Sequence, residues 1–371
     1  MKKWDAIVIG GGVAGSAAAT LLARNGREVL LLEREEAAHD KVCGEFISIE
    51  AQHYLKKLGI DLVQLGAEKI NQVRLIHKEK IVSSVLPFEA LSLSRKVLDE
   101  AMLAYAVANG AQVERGKAVT GLEYEVAEWV IKRAKERPLN AHSVFLATGK
   151  HDLRSHSRKP KLEGKYIGFK MHFHLTPEQL AKLKGCVELV LYNGGYAGLE
   201  PVEGGKANLC LVVTKARFAT CGKRWNQLLQ FLKFSAPHLA KRLTQAEPCW
   251  KHPLSIFPIP YGFVYGKKHF SEPHYFRLGD QMAVIPSFCG EGMAIALHTA
   301  FSAVKNYLEK DGAGYNEQIC TELLPQVRLA QFLSRTMSLP WMQAPVIWSC
   351  RALPGLISRV VARTRLKKIS V

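Results

Sequence analysis

The 371-residue sequence lacks the features that would place it in several common functional classes. None of its eight cysteines forms a C-x-x-C pair. Cys43, Cys186, Cys210, Cys221, Cys249, Cys289, Cys320 and Cys350 are scattered through apolar stretches. That distribution argues against a zinc site or a disulfide framework and fits a reducing compartment, so no metal is expected. No uninterrupted apolar run is long enough to span a bilayer. Met1-Lys2-Lys3 leads straight into a strand pattern without a cleavage-site pattern, so no signal peptide is expected and the expected location is cytoplasmic. Zinc-finger spacing, an RNP-like strand and a helix-turn-helix signal are all missing. The formal net charge of +18 is therefore not read as a sign of nucleic-acid binding. Acidic residues are absent after Glu322.

With 48% hydrophobic and 23% charged residues, the chain reads as globular. Its length suits two intertwined domains and a tail. Ala6 to Ile9 form a buried-strand run, broken by Gly10-Gly11-Gly12. Small and apolar residues from Val13 to Arg24 then predict a helix able to pack closely on a sheet. Asn25-Gly26 ends it, and Glu28 to Leu32 predict a second strand closed by Glu33. Gly10, Gly12 and Gly15 fit G-x-G-x-x-G in this strand–turn–helix–strand setting. The first glycine permits the tight turn, the second a close approach to a pyrophosphate, the third close helix–strand packing. The helix start, with Val13 and Ala14, offers free N–H groups and a positive dipole end. Glu33 suits a ribose 2′-hydroxyl and would repel a 2′-phosphate.

Further along, Ser94, Arg95, Leu98 and Asp99 open a helix reaching about Asn109, followed by strands at 112–114 and 118–123. Ser143–Leu146 is a buried strand ending in Ala147-Thr148-Gly149. Arg277-Leu278-Gly279-Asp280 ends another, and Pro286, Gly290, Glu291, Gly292 and Met293 precede an apolar helix over 294–307. Together these segments resemble the flavoprotein family that includes p-hydroxybenzoate hydroxylase-like monooxygenases, geranylgeranyl reductases and flavin-dependent halogenases. The resemblance covers roughly residues 1–325. Its "SR..LD" helix, "ATG" strand end and "GD" followed by "P…G.GM" are all present. Lys150 replaces the aspartate that the hydroxylases carry after this glycine, and the W-x-W-x-I-P signature of tryptophan halogenases is missing. Cys43-Gly44 matches the loop that reductase-like members place near the flavin ring, with Glu45 replacing a second glycine. Tyr196 and Gly198 match the reductases' "GGY" segment.

The resemblance implies FAD as the cofactor, because a single nucleotide does not require both glycine signatures. It implies a cofactor-binding set of Gly10, Gly12, Val13, Ala14, Gly15, Glu33, Arg34, Cys43, Gly44, Arg95, Val119, Thr148, Gly149, Gly279, Asp280, Gly290, Gly292 and Met293. Cys43 and Glu45 are the candidate catalytic residues, Glu45 as an acid.

The expected fold is α/β. A discontinuous Rossmann-like FAD-binding domain spans 1–70, 90–159 and 271–325. An inserted, mostly antiparallel substrate sheet spans 71–89 and 160–270, with strands at 166–174, 187–192, 207–213 and 255–259, a turn at 193–198 and a helical insertion at 223–244. Pro253, Pro258 and Pro260 bracket the last of these strands. A basic helical segment, 326–371, follows. It carries Arg328, Arg335, Arg351, Arg359, Arg363, Arg365, Lys367 and Lys368 among Trp341, Trp348 and aliphatic residues. Pro340, Pro345 and Pro354 interrupt it. This segment is expected either to cap the substrate domain or to touch an anionic membrane face peripherally. The leading functional expectation is an FAD-dependent oxidoreductase acting on an apolar small molecule, such as an isoprenoid or polyketide-like compound, by reducing a C=C bond. NADPH or ferredoxin would supply the electrons. An aromatic monooxygenase and a non-catalytic flavin-binding redox module are the alternatives.

Overall fold

The computed structural model describes residues 3–158, 164–259, 261–265, 273–309, 312–353 and 355–366. Pro260, Pro354, Lys367 and Lys368, and the domain boundaries drawn at 159/160 and 270/271, lie outside them.

The chain begins with β1 (Lys3–Ile9), α1 (Val13–Arg24) and β2 (Val29–Leu32). Next come β3 (Phe46–Ile47), α2 (Ile49–Leu58), β4 (Glu68–His77), β5 (Lys80–Ser92), α3 (Arg95–Ala108) and β6 (Gln112–Glu114). A meander of β7 (Val119–Glu125), β8 (Glu128–Arg133) and β9 (Leu139–Leu146) follows. The middle of the chain holds β10 (Tyr166–His174), α4 (Pro177–Leu183), β11 (Gly185–Tyr192), β12 (Gly195–Val202) and β13 (Lys206–Thr214). It continues through α5 (Lys215–Thr220), α6 (Trp225–Ser235), α7 (Pro237–Arg242), β14 (Glu247–Pro248) and β15 (Leu254–Ile256). Then come β16 (Phe263–Val264), β17 (Tyr275–Arg277), β18 (Ala283–Val284), α8 (Gly292–Leu308), α9 (Gly312–Ser338), α10 (Pro340–Ala352) and α11 (Leu356–Arg363).

Two large sheets result. The first runs β6-β2-β1-β9-β8-β7, with β17 also on β9. Its β6, β2, β1, β9 and β17 are mutually parallel, as crossover connections through helices require. Alanine-rich α1 lies on this sheet with Ala17, Ala18 and Ala19 fully buried, and α8 packs beside it. The second sheet runs β14-β10-β13-β12-β11-β4-β5-β3, with β15 on β10. It is antiparallel except where β4 meets β11 in parallel. The fold is thus a Rossmann-like α/β unit joined to a largely antiparallel sheet.

The boundaries drawn at 70/71 and 89/90 fall inside β4 and β5, and the strand expected over 255–259 covers Leu254–Ile256. The structure differs from expectation in three further places. Only Asn193 and Gly194 form the turn expected over 193–198; Gly195–Val202 is a strand. Gly195 is needed inside that strand, because a Cβ there would lie 1.9 Å from the Val212 carbonyl oxygen. The β7–β8 hairpin turns on Val126 and Ala127, both at positive φ. Neither residue signals a turn in sequence, since such backbone normally calls for Gly, Asn or Asp. Finally, α9 runs unbroken through residue 326 with Pro325 inside it, so the boundary drawn there falls within one helix. Among the described residues, no helix is long and apolar enough to cross a membrane.

The second sheet is anchored by a buried charge cluster. The Glu188 carboxylate on β11 is fully buried, with Arg74 of β4 at 3.0 Å, Arg242 of α7 at 2.9 Å and His238 at 2.9 Å. Burial alone would raise its pKa, but the adjoining His238 and Arg242 overcome this and hold it at about 2. The unfolded carboxyl titrates near 4.5. The cluster's contribution should therefore be complete above pH 4.5 and drain away as pH falls toward 2, by about 3 kcal/mol. Chemical unfolding followed across that window should show this slope, and Glu188→Gln should flatten it.

Candidate active site

Four parallel strands end at one edge of the first sheet, and the residues singled out in the sequence follow them directly. Gly10–Gly12 follow β1, Glu33 follows β2, Ala147–Gly149 follow β9, and Gly279–Asp280 come just after β17. In open α/β sheets this carboxyl edge is where ligands bind. The turns also touch. Gly10, at φ +107°, lies so close to the β9 end that a Cβ would sit 2.5 Å from the Ala147 oxygen. On Gly15 a Cβ would sit 1.9 Å from the Gly10 oxygen. Gly279 joins the two signatures, since a Cβ there would lie 3.4 Å from Ala14 Cβ of α1 and 3.5 Å from Ala296 Cβ of α8. The N-terminal turns of α1 and α8 therefore flank one groove.

Gly12 differs from these. Its nearest neighbours are side-chain ends, with Arg95 Nη2 3.5 Å and Lys41 Nζ 3.6 Å from where a methyl group would stand. The Arg95 guanidinium grips Asp99 through Nε (2.9 Å) and Nη2 (3.0 Å), and Lys41 Nζ reaches the same carboxylate at 2.8 Å. Burial of Asp99 would raise its pKa, but the two cations hold it low. Two cations and a helix N-terminus facing a side-chain-free glycine make a cradle for a pyrophosphate. Lys41 was not singled out in the sequence, because nothing local marks it as Asp99's partner. Glu33 accepts from the Gly11 N–H at 2.6 Å and the Glu35 N–H at 2.9 Å, which fixes its carboxylate at the end of β2. Arg34 is exposed and pairs with Glu35 at 2.8 Å. Val119 lies at the start of β7, paired with Arg133, and belongs to neither glycine turn.

The end of the groove near α8 is built by contacts rather than by glycine alone. Gly279 N–H donates to Thr299 Oγ1 at 2.8 Å. Arg158 ties this region to β9, donating to the Asp280 carbonyl (2.8 Å), the Lys150 carbonyl (2.7 Å) and the Asp152 carboxylate (2.7 Å). Thr148 Oγ1 donates to the His151 carbonyl at 2.6 Å, and the Gly149 carbonyl accepts from Gln281 at 2.8 Å. Gly290, at φ +68°, packs so tightly on Phe46 that a Cβ would meet its ring at 2.6 Å. Gly292 opens α8, and Met293 is buried beneath it.

The 41–46 loop crosses between the two sheets. The Cys43 and Gly44 carbonyls accept from Asn208 Nδ2 at 3.2 and 3.0 Å, and the Val42 carbonyl accepts from Lys150 at 3.2 Å. The half-buried Cys43 thiol lies beside Arg95, where burial would lower the guanidinium's pKa but Asp99 raises it. Glu45 is fully buried at φ +64°. Its carboxylate takes the Arg95 N–H (2.8 Å), His172 Nε2 (2.7 Å) and the Lys170 ammonium, which also holds Asp40 at 3.0 Å. Asp40, Glu45 and His172 cluster as metal ligands can, but Lys170 already places a positive charge on both carboxylates.

Between the second sheet and the 287–290 segment lies a cavity of about 100 Å³. Its walls are mainly apolar and include Phe46, Val73, Leu189 and Val361, with Gly44 and Gly290 also lining it. Glu200 also lines it. Its carboxyl is buried, and neither oxygen has a hydrogen-bond partner. Its role is invisible in sequence, because only the strand register of β12 turns that side chain inward.

The groove's geometry fits FAD from ribose to ring: acid, glycine turn with cations, then a second glycine-lined helix start. FAD bound there would supply hydride or electron transfer. Because a Cβ at position 12 clashes with nothing, Gly12→Ala should fold normally. The methyl would occupy the pyrophosphate's place, and FAD affinity should fall roughly tenfold or more. Retention of cofactor after gel filtration, read by flavin absorbance, checks this. Undiminished retention would remove the pyrophosphate from that turn.

Residues 4–202 match the pyridine nucleotide-disulphide oxidoreductase family. Among curated proteins, a squalene monooxygenase of Eremothecium gossypii is 34% identical over 99 residues, covering 26% of this chain and 20% of that enzyme. Two solved structures share the fold. A flavoprotein/dehydrogenase of Cytophaga hutchinsonii has a TM-score of 0.76 at 14% identity, over 91% of this chain and 86% of that one. The myxobacterial chondrochloren halogenase CndH has a TM-score of 0.75 at 18% identity, over 99% and 91%. The matched stretches span no more than about half the length of the curated relatives, from 12% to 45%. With more than half its length matched and its two glycine signatures converging on one groove, the chain belongs to the pyridine nucleotide-disulphide oxidoreductase family.

Proposed function

We propose that this enzyme transfers reducing equivalents between FAD and an apolar small molecule held in the cavity beside Gly44 and Gly290. The observation that carries this reading is the cavity itself. It is apolar, adjoins both loops expected to meet the flavin ring, and is walled on one side by the second sheet. Apolar walls with a few placed polar groups are the usual form of a small-molecule site. Reduction of a C=C bond is the preferred reaction, with NADPH or ferredoxin as the electron source. Cys43 precedes the cavity-lining Gly44 and is the proposed catalytic residue of that loop. Glu45, by contrast, is clamped by Lys170 and His172, and in this proposal it orients the loop as a carboxylate rather than donating a proton.

Oxygen transfer is the second reading, and the match to a squalene monooxygenase favours it. The two separate cleanly. Protein reduced anaerobically should be re-oxidised by an apolar alkene substrate without oxygen if it is a reductase. If it is a monooxygenase, only oxygen should re-oxidise it, with the oxygen atom appearing in the product.

We place the enzyme at a membrane surface through its C-terminal helices. On α10, Trp341, Ala344, Pro345 and Trp348 are exposed at helical spacing, with both tryptophans about 70% exposed. The opposite face buries Gln343 and Ile347. Phe332, Leu339 and Leu353 extend the apolar surface, and the nearby exposed charges are the cations Arg328, Arg335, Arg351, Arg359 and Arg363. Apolar residues among cations suit an anionic bilayer. Replacing Trp341 and Trp348 together by Ser should cut partition onto phosphatidylserine vesicles roughly tenfold. Unchanged sedimentation with those vesicles would dismiss the membrane placement.

A further inference from the structure

Among the described residues, Glu200 is the one carboxyl group on the wall of the cavity. On β12 it shares a face with Tyr196 and Gly198, which line the same space. The other polar groups there are already engaged. The Tyr196 hydroxyl bonds Ser287, and Arg365 is committed to Glu291 and, at 2.6 Å, to the Cys289 carbonyl. Asn208 sits opposite Glu200 in the strand register, but its N–H groups hold the Cys43 and Gly44 carbonyls, and its own oxygen has no partner. Neither Glu200 oxygen has a hydrogen-bond partner at good geometry. Burial first, then Glu45 and Cys43 close by, outweigh the opposing pull of Lys170 and Asn208 and push its pKa well above the ordinary carboxylate range. A buried carboxyl in such surroundings keeps its proton and can donate it.

We propose that Glu200 is a neutral carboxylic acid that donates to an oxygen atom of the substrate, which makes the substrate an apolar conjugated carbonyl compound, an enone or a quinone. This rests on reading the cavity as the substrate site. The chemistry selects this class. An isolated alkene must be protonated on carbon, which needs a strong acid, whereas a burial-weakened carboxyl is matched to an oxygen becoming an enolate. FAD held in the groove would supply the hydride to the β-carbon of an enone and be oxidised in doing so. As the C=C electron pair moves toward the carbonyl, the Glu200 O–H bond breaks, its proton goes to the substrate oxygen, and its electron pair stays on the carboxylate. The enol reverts to the saturated ketone, which has gained two hydrogens, and water restores the Glu200 proton.

The test compares carvone, an enone, with limonene, the same carbon skeleton without oxygen, on the FAD-loaded protein. By equilibrium dialysis, wild type should bind carvone roughly tenfold more tightly than limonene, the effect of one well-placed hydrogen bond in an apolar site. Glu200→Leu should bind both equally. Glu200→Gln still offers an N–H but no acidic proton, so it should keep carvone affinity and KM within a few-fold and lose kcat. On adding carvone, the infrared difference spectrum of wild type should show a shifted carboxylic-acid carbonyl band that Glu200→Gln lacks. If wild type and Glu200→Leu bind both probes with equal affinity, or if the band persists in Glu200→Gln, the assignment to Glu200 is overturned while the cavity stands. If wild type binds neither probe, the cavity reading fails and takes this proposal with it.

Discussion

The arrangement of the site depends on one buried carboxylate. Glu45 sits in a left-handed backbone conformation with no exposure to solvent, in the loop that passes between the two sheets. A bare charge there would be prohibitive. It is tolerated because Lys170 and His172 of β10 and the N–H of Arg95 converge on it. Removing one partner of such a pair typically costs about 3–5 kcal/mol, because the other is left charged and dry. The same contacts fix geometry. Arg95 faces the pyrophosphate turn with its side chain and Glu45 with its backbone, while Lys170 and His172 belong to the sheet that walls the cavity. One ionic knot thus ties the groove at the glycine turns to the sheet that walls the cavity.

What was legible in the sequence was local. Gly10, Gly12 and Gly15 could be read because each answers a steric demand within its own strand–turn–helix unit. The acid at the end of β2 and the glycines before α8 were readable for the same reason. What was not legible depends on partners far along the chain. Lys41 gains meaning only when α3 brings Asp99 to it, 58 residues on. Lys170 is an ordinary lysine in a strand pattern until Glu45 arrives from 125 residues away. Glu200 reads as one charge in a strand, and only the closing of the 287–290 segment and α11 over β12 turns its position into a dry one. Strand ends were misplaced where backbone sterics broke the usual residue preferences, at Val126-Ala127 and at Gly195.

The C-terminal helices link surface to site. The inner face of α10 packs Ile347 against the second sheet, and Gln343 donates to the Tyr192 carbonyl at 3.0 Å. Beyond it, α11 lays Val361 on the cavity, and Arg365 clasps Glu291 at the start of α8. Burial of Glu291 raises its pKa, and Arg365 opposes that rise, so the charge at the mouth of α8 is set by a residue 74 positions further along the chain. A surface event on these helices therefore has a short mechanical route to the segment that borders both cavity and flavin groove.

The lone parallel pairing in the second sheet also bears on how the chain reaches its shape during synthesis. The β4–β5 hairpin is complete early, yet its β4 edge is closed only by β11, with Arg74 and Glu188 lying 114 residues apart. In the interval the nascent hairpin presents unpaired backbone groups to the surroundings. A ribosome-bound intermediate of this kind is a natural client for a holding chaperone and a weak point for aggregation when translation stalls.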